Sequence, residues 1–584
     1  MGTGDAPLLT LWRSLTISEV ALLIVLLVVV GMVAPVGAVD LWVDPLNGDD
    51  AHTGTSPADA LRTFTTAWNQ IPSGSSLQTG YRIRLVPGVY REEAVPSGGW
   101  LDDRHGTALA PIVIEGAGGE VTLPALDLHD CHHLVLRNLT LRGGAGGGNV
   151  LHLAACSNIT VTRCRLLGEG DVEAYEGPQE VLKANQCHDL VIEDSEIAHA
   201  FGIALDLFAV EGAVIRRNRI HHALDWCAYV KGGSASIEFS ANQLWDGRAG
   251  GFAAGQGSGF EFMVPPRIHY EASEVRCVNN LIHDIEGAGL GVHGGYNVLF
   301  AYNTLYRVGS ASHVIEVGYG QRSCDGDLES CRRLLSLGGW GTPDLDGFEG
   351  IPNRNVYIQN NLVLNPEGAA SAWSHFSVAG PVSPPAGSNV PSPAYADEGL
   401  LISGNVIWNG PTDHPLGLDA SRLDPATVLA ENWINTVHPL LGNPRAGDYS
   451  VSRASLAGVT VAPLRQFPGN DLPVVPAEPQ GNLTNTVLTD RDGRLRAGQD
   501  LPGALIPGDS MVVMVPGGMG VPLDLNGDGR YEDVNGNGSV DFDDVVLYFN
   551  QLDWISDHEP LAAFDLNEDS RVDFNDVVAL FHAL

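Results

Sequence analysis

The sequence predicts a mainly β chain: a parallel β-solenoid followed by a small α-helical, ion-binding module. Three observations carry this prediction. First, one strand-like word recurs along the chain: apolar, any, apolar, any, any, Asn, any, apolar. It reads LVLRNLTL, AVIRRNRI, IEFSANQL, VRCVNNLI, VLFAYNTL, VYIQNNLV and LLISGNVI, which aligns Asn138, Asn218, Asn242, Asn280, Asn303, Asn361 and Asn405. Second, the uninterrupted spacing is 23–31 residues, the length of one solenoid coil. The period-2 alternation within each word argues for strands and against helices. Third, acidic residues near the C-terminus repeat in a fixed register, each time before an amphipathic stretch.

The elements follow in chain order. Residues 20–33 form an unbroken apolar run after Arg13 and before the small-x-small site Val36-Gly37-Ala38. Residues 1–38 therefore read as a signal peptide, with an uncleaved signal anchor as the alternative. Either reading puts the rest of the chain outside the membrane, secreted or at the cell surface, where disulfides persist. Thr63–Ile71 reads as a short helix that plugs the open end of the solenoid. The solenoid spans 39–462, with Cys164 and Ser195 standing in for Asn in two coils. An Asn at the same turn of each coil can bond its neighbours above and below, so these residues read as a structural ladder. Cys131, Cys156 and Cys187 recur at one position and read as a stack of sulfurs. Cys324 and Cys331 bracket CDGDLESC and read as a local disulfide. Gly-, Pro- and aromatic-rich insertions fall at 248–272, 318–353 and 368–397, and solenoid insertions gather on binding faces. Residues 463–520 lose the repeat and read as a Pro/Gly-rich linker with a short strand at Met511–Val515.

In the tail, 521–584, 15 Asp and Glu stand against 2 Arg. Asp533, Asn535, Asn537, Ser539, Asp541 and Asp544 occupy positions 1, 3, 5, 7, 9 and 12 of a loop, and Asp565, Asn567, Asp569, Arg571, Asp573 and Asp576 repeat them. Positions 7, Ser539 and Arg571, would contribute backbone carbonyls. Oxygen ligands at this spacing wrap a hard cation of calcium size. Asp524, Asn526 and Asp528 begin an overlapping third loop without an acid at its twelfth position.

These features resemble two families. The N-terminal entry, the coils and the HPLLGNPRAGDYSV exit at 438–451 resemble right-handed parallel β-helix proteins, secreted polysaccharide lyases among them. The paired loops, with Asp at position 12, resemble a dockerin-like EF-hand pair. That resemblance implies calcium as the cofactor that folds the module and a cohesin-like surface partner; a solely structural role stands beside it.

On the strand preceding each Asn word, ionisable residues recur: His152, Lys183, Asp206, Lys231 and His293, then Glu261 or a neighbour, then Glu316. Both lysines of the chain fall on this strip. Such a groove suits an extended acidic polysaccharide. The chemistry suggested is β-elimination on a uronate polymer. A base removes the proton α to the carboxylate, and a cation spreads the developing charge. Lys231 is the candidate base, with Lys183 and His293 beside it. Asp206 and Asp225 are candidate ligands for a further calcium in the groove. The order Asp206, Asp225, Lys231-Gly232-Gly233 resembles calcium-and-lysine pectate lyases of the β-helix kind, with two aspartates where those enzymes cluster several. His269, Tyr270, Glu271, Arg307, Glu316 and Arg322 are candidate substrate contacts. A glycoside hydrolase would need two flanking carboxylates, Asp206 with Asp225 or Glu261 with Glu316. A non-catalytic adhesion protein that binds glycans is the alternative reading. The formal charge of −38 argues against nucleic acid as a partner, and the leader is the only membrane contact the sequence suggests.

Overall fold

The computed structural model describes residues 37–144, 148–342, 350–496, 501–506, 512, 514–520, 522–526 and 530–584. The leader up to residue 36, Asp528 and part of the Met511–Val515 stretch lie outside the described residues. Among the described residues no helix is long and apolar enough to cross a membrane.

The first 400 or so described residues wind into a parallel β-helix with three strands per coil. The first sheet stacks strands from Val39–Val43 through Glu211–Arg216 and Gly295–Ala301 to Leu401–Ser403. The second stacks Leu151–Ala154, Glu180–Asn185, Ile203–Phe208, Trp226–Lys231, Gly250–Ala254, Ala288–His293 and Ile315–Gly318. The third runs from Gly88–Val89 to Trp433–Ile434. Every described pairing between coils within these sheets is parallel and in register, so like residues stack on like. The inward positions are Ile, Leu, Val and Phe and are almost wholly buried, forming one continuous core. At the N-terminal end the helix Phe64–Trp68, capped by the Thr63 side chain, buries Phe64, Ala67 and Trp68 in that core and closes it.

The asparagine ladder begins later than the sequence alignment put it. Asn138 is exposed with φ 55°, and Leu139 takes the ladder position, because the word LVLRNLTL is one residue shorter before its Asn. From Cys164 on, the backbone N–H of each ladder residue donates to the side-chain oxygen of the next coil. The chain runs Cys164 to Ser195, Asn218, Asn242, Asn280, Asn303, Asn361, Asn405 and Asn432, at 2.9–3.0 Å throughout. The Asn Nδ2 groups donate onward to the next Asn and back to a carbonyl of the previous coil. Asn432, absent from the sequence alignment, ends the ladder. Cys131, Cys156 and Cys187 are buried and unbridged, each donating its thiol to a carbonyl one coil back at 3.5 Å.

Residues 463–496, within the stretch that composition marks as a linker, return along the first sheet and pack on it. Glu478 meets His269 at 2.8 Å, Thr486 O accepts from Arg276 at 2.7 Å, and Arg496 reaches Asn279 at 2.8 Å. The third sheet is covered toward its C-terminal end by the exit hairpin, where Tyr449 stacks on His283. The second sheet is left with an open face.

The tail folds around its own apolar core, with helices Phe542–Asn550 and Phe574–Ala583 packed together. Asp541 and Asp573 cap these helices, each with a capping box to Asp544 and Asp576.

Candidate functional site

A cleft of about 950 Å3 opens on the second sheet. Its floor is the outward face of Glu180–Asn185, Ile203–Phe208 and Trp226–Lys231. One wall comes from two insertions: Gly257–Gly259 pairs in parallel with Gln321–Ser323, and Phe262 packs on Phe208. The Cys324–Cys331 disulfide ties the rim. A second hollow of about 550 Å3 continues past Gln256 and Gln321 to His293 and Glu316.

Register decides which groups meet. His152, Lys183, Asp206, Tyr229, Ala253, Gly291 and Glu316 form one row across successive coils. Lys231 is two residues along, opposite Phe208, and His293 is opposite Gly318. The sequence strip had merged these two rows. Tyr229, not Lys231, is the direct neighbour of Asp206.

Lys183 lies between two carboxylates, Glu180 at 3.0 Å and Asp206 at 3.6 Å. Burial lowers the Lys183 pKa, but Asp206 and Glu180 outweigh it and leave it raised. Lys231 has neutral partners: its Nζ donates to Tyr229 OH at 3.0 Å and to Gln256 Oε1 at 3.2 Å. Among the described residues no carboxylate lies within ion-pair reach of it. Asp206 is 1% exposed, and its Oδ1 has no hydrogen-bond partner among the described residues. Burial pushes its carboxyl up, against the pull of Lys231 and Lys183. Tyr229 is buried, and burial, with Asp206 and Glu180 nearby, holds its hydroxyl well above the ordinary tyrosine range. It is therefore a protonated phenol at neutral pH. An orphaned buried carboxylate oxygen is a poor resting state and fits a cation.

The other candidates are placed differently. Asp225 sits at the turn into Trp226–Lys231, accepts from Trp226 N at 3.0 Å, and is raised by burial. His293 approaches Glu316 at 3.7 Å in the second hollow. Burial raises Glu316, but its bonds to His293 and Ser312 outweigh this and keep it lowered. His269, Tyr270, Glu271 and Arg322, read as residues closing over substrate, are instead the buried anchor of the insertions. Glu271 and Arg322 pair at 2.7 Å with both side chains 0% exposed, and the Arg322 guanidinium also donates to Ile268, His269 and Trp340 carbonyls. His269 is held by Glu478, and Tyr270 stacks on Tyr296. Arg322 spends its guanidinium on backbone carbonyls that belong to no strand, and Glu271 accepts from Gly232 N and Ser258, which holds the insertions in shape. Arg307 lies on the third sheet, paired with Asp284 at 3.2 Å, away from the cleft. Glu261 is in the insertion, accepting from Asp325 N at 2.7 Å. Glu261 and Glu316 therefore do not face each other across the cleft.

Glu180, Tyr229 and Gln256 are cleft residues that sequence reading passed over. Glu180 and Tyr229 carried a signal: each precedes a lysine by two or three residues on the same strand. Gln256 could not be placed, because an insertion brings it over the sheet.

In the tail, Asp533, Asp544, Asp565 and Asp576 are each 0% exposed. Loop N–H groups point at the first acid of each loop: Asn537 and Gly538 at Asp533, Asp569 and Ser570 at Asp565. Burial, then repulsion from Asp576, raises Asp565 to about 7, and burial raises Asp576 to about 6. Asp569 Oδ1 is buried without a partner among the described residues. This donor set, oxygens with excess negative charge, fits calcium. Ser570 holds φ 63° where the first loop has Gly538 at 89°. Asp524 and Asn526 lie beside the first loop, and Asn526 bonds Glu532.

The family model "right handed beta helix region" matches residues 122–263, and the dockerin type I domain model matches residues 531–584. No curated protein sequence matches the chain. Similar solved structures include the mannuronan C-5 epimerase AlgE4 A-module of Azotobacter vinelandii, at 14% identity over 51% of this chain and 82% of that one, TM-score 0.35. A rhamnogalacturonan lyase is 13% identical over 68% of this chain and 99% of that one, TM-score 0.37. Pectate lyase Pel9A is 12% identical over 84% and 94%, TM-score 0.33.

Proposed function

We propose that this is an extracellular carbohydrate-active β-helix protein that binds a uronate polysaccharide in the second-sheet cleft and cleaves it by β-elimination. The dockerin-like tail then serves attachment to a cohesin-like partner. One observation carries the reading: a lysine with, among the described residues, no carboxylate within ion-pair reach, bonded to a protonated tyrosine, beside a buried carboxylate with one oxygen unpartnered there. Lys231 takes the proton α to the uronate carboxylate. The electron pair forms the ring double bond, the C–O bond to the next sugar breaks, and that oxygen takes a proton from the Tyr229–Lys231 pair. Lys183, held by Glu180 and Asp206, fixes the floor. Asp206 and Glu180 are the groups that would hold a calcium ion, which would neutralise the substrate carboxylate.

The test offers polygalacturonate, alginate and glucuronan, with and without calcium, to the secreted chain and to Lys231→Ala and Tyr229→Phe. Ultraviolet absorbance of the unsaturated product is the readout. A fall of about 10²–10⁴-fold in both variants is expected for loss of a proton-transfer group. Product formed equally by all three proteins removes these roles. Retained binding without product on any polymer moves the protein to the glycan-adhesion reading.

A further inference from the structure

Two successive coils carry the same word at the same corner, Asp103-Arg104-His105 and Asp130-Cys131-His132. The strands pair in parallel with Arg104 opposite Cys131 and His105 opposite His132. The next three coils hold Ala155 and Ser157, Gln186 and His188, and Ala209 and Glu211 at those positions, so the repeat is confined to this pair.

The geometry points to a divalent transition-metal site of the zinc class formed by His105, Asp130 and His132, with solvent completing the coordination and Asp103 beside His105. The ligating atoms of the first three lie within 4.8 Å of one another. His105 Nε2 is 3.2 Å from Asp130 Oδ2 and 3.4 Å from Asp103 Oδ1, and His132 Nε2 is 3.1 Å from Asp130 Oδ1. A tetrahedron with metal–ligand bonds of about 2.0–2.1 Å has edges of about 3.3–3.4 Å, and each imidazole Nε2 stands close to that distance from an Asp130 oxygen, Oδ2 for His105 and Oδ1 for His132. The other nitrogen of His132, Nδ1, is 2.5 Å from Ser157 Oγ, one coil further on. A partner there fixes the ring and aims Nε2 at the cluster, as outer partners do around metal-bound imidazoles. Two imidazoles with carboxylates favour zinc, cobalt or nickel over calcium, which prefers oxygen alone. The half-buried side chains leave an entry path from solvent. An ion here would clamp the coil containing Trp100–His105 to the coil containing Leu126–Arg137, next to the capped N-terminal end.

The test titrates the full secreted chain, kept in calcium so that the tail loops are filled, with cobalt(II) and then zinc. Visible ligand-field absorption reports imidazole coordination, and the melting temperature reports the clamp. Wild type should show one cobalt site displaced by zinc and a rise in Tm with zinc. His105→Ala and His132→Gln should weaken the site at least tenfold and abolish the Tm rise, and Ser157→Ala should weaken it about 10-fold. His222→Ala, in the separate His199–His221–His222 cluster, should change neither. Far-UV circular dichroism confirms that each variant is folded. Absence of cobalt absorption in wild type, or equal binding in folded His105→Ala and His132→Gln, overturns the site.

Discussion

In the solenoid, Asn280 is fully buried, and its backbone and amide groups are bonded to Asn303 one coil ahead and to Phe239 O one coil behind. In the tail, Asp565 is buried to the same depth, and Asp576 and Asp569 bear on it through their charge. The first arrangement closes on itself. Each amide offers donor and acceptor, so a stack of them satisfies every member but the ends. The second does not close: carboxylates only accept, and stacking them adds repulsion. The cleft combines the two, since Lys183 approaches one oxygen of Asp206 and, among the described residues, the other has no partner. Buried polar groups that complement one another build structure, and those that do not mark the places where a ligand belongs.

Four experiments sharpen or break this comparison. The largest effect is expected from chelation. Calcium removal should unfold the tail, seen as loss of the helical circular-dichroism signal, because metal binding there is folding free energy. The solenoid transition should stay within a few degrees of its calcium-loaded value. Simultaneous loss of both transitions would show that the ladder is not self-sufficient. Next, Asn280→Ala leaves the Asn242 N–H buried without its acceptor, and should cost about 3 kcal/mol in denaturant unfolding. A cost below about 1 kcal/mol would mean that a water or a shifted strand replaces the amide.

The third concerns pH. Burial, then His222, depresses His221 from 6.5 to about 4. Below pH 6.5 the unfolded chain takes up a proton that the folded one refuses, so stability should fall as pH drops toward 4. The loss is on the order of 2–3 kcal/mol. His221→Asn should flatten the slope between pH 6.5 and 4; an unchanged slope would assign it to other groups. The smallest effect is expected at the surface. Arg165 and Glu196 pair at 2.8 Å with Arg165 half exposed, and Arg165→Ala should change stability by no more than about 0.5–1 kcal/mol. A larger loss would mean that the outer face of the third sheet is more than solvated dressing.

Much of the fold is legible because a solenoid repeats its local rules. The Asn word and the helix before the first coils each have a local signature, and the structure places them accordingly, whereas the stretches read as insertions at 248–272 and 368–397 each contain a second-sheet strand, Gly250–Ala254 and Phe376–Val378. Within the ladder, Asn138 was misplaced because a word one residue short looks the same as a full one until strands are paired. The acidic register of the tail was legible for the same reason: its carboxylates come from short stretches of chain. The cleft was legible only in outline. That the second sheet carries both lysines follows from periodicity, but a shift of two residues keeps the face and changes the neighbour, so Lys231 could not be distinguished from Tyr229 as the partner of Asp206.

By itself the sequence determined the coil length, most of the ladder, the capped end and the register of the paired acidic loops, since each depends on contacts between residues at fixed local or repeat spacing. Only the tertiary structure decided the rest. It turned His269, Glu271 and Arg322 inward, laid residues 463–496 along the first sheet, and brought Gln256 over Lys231. It also put His105 beside Asp130 and His132. These contacts join insertions, the returning strap or neighbouring coils across distances set by packing, and no local pattern encodes such distances.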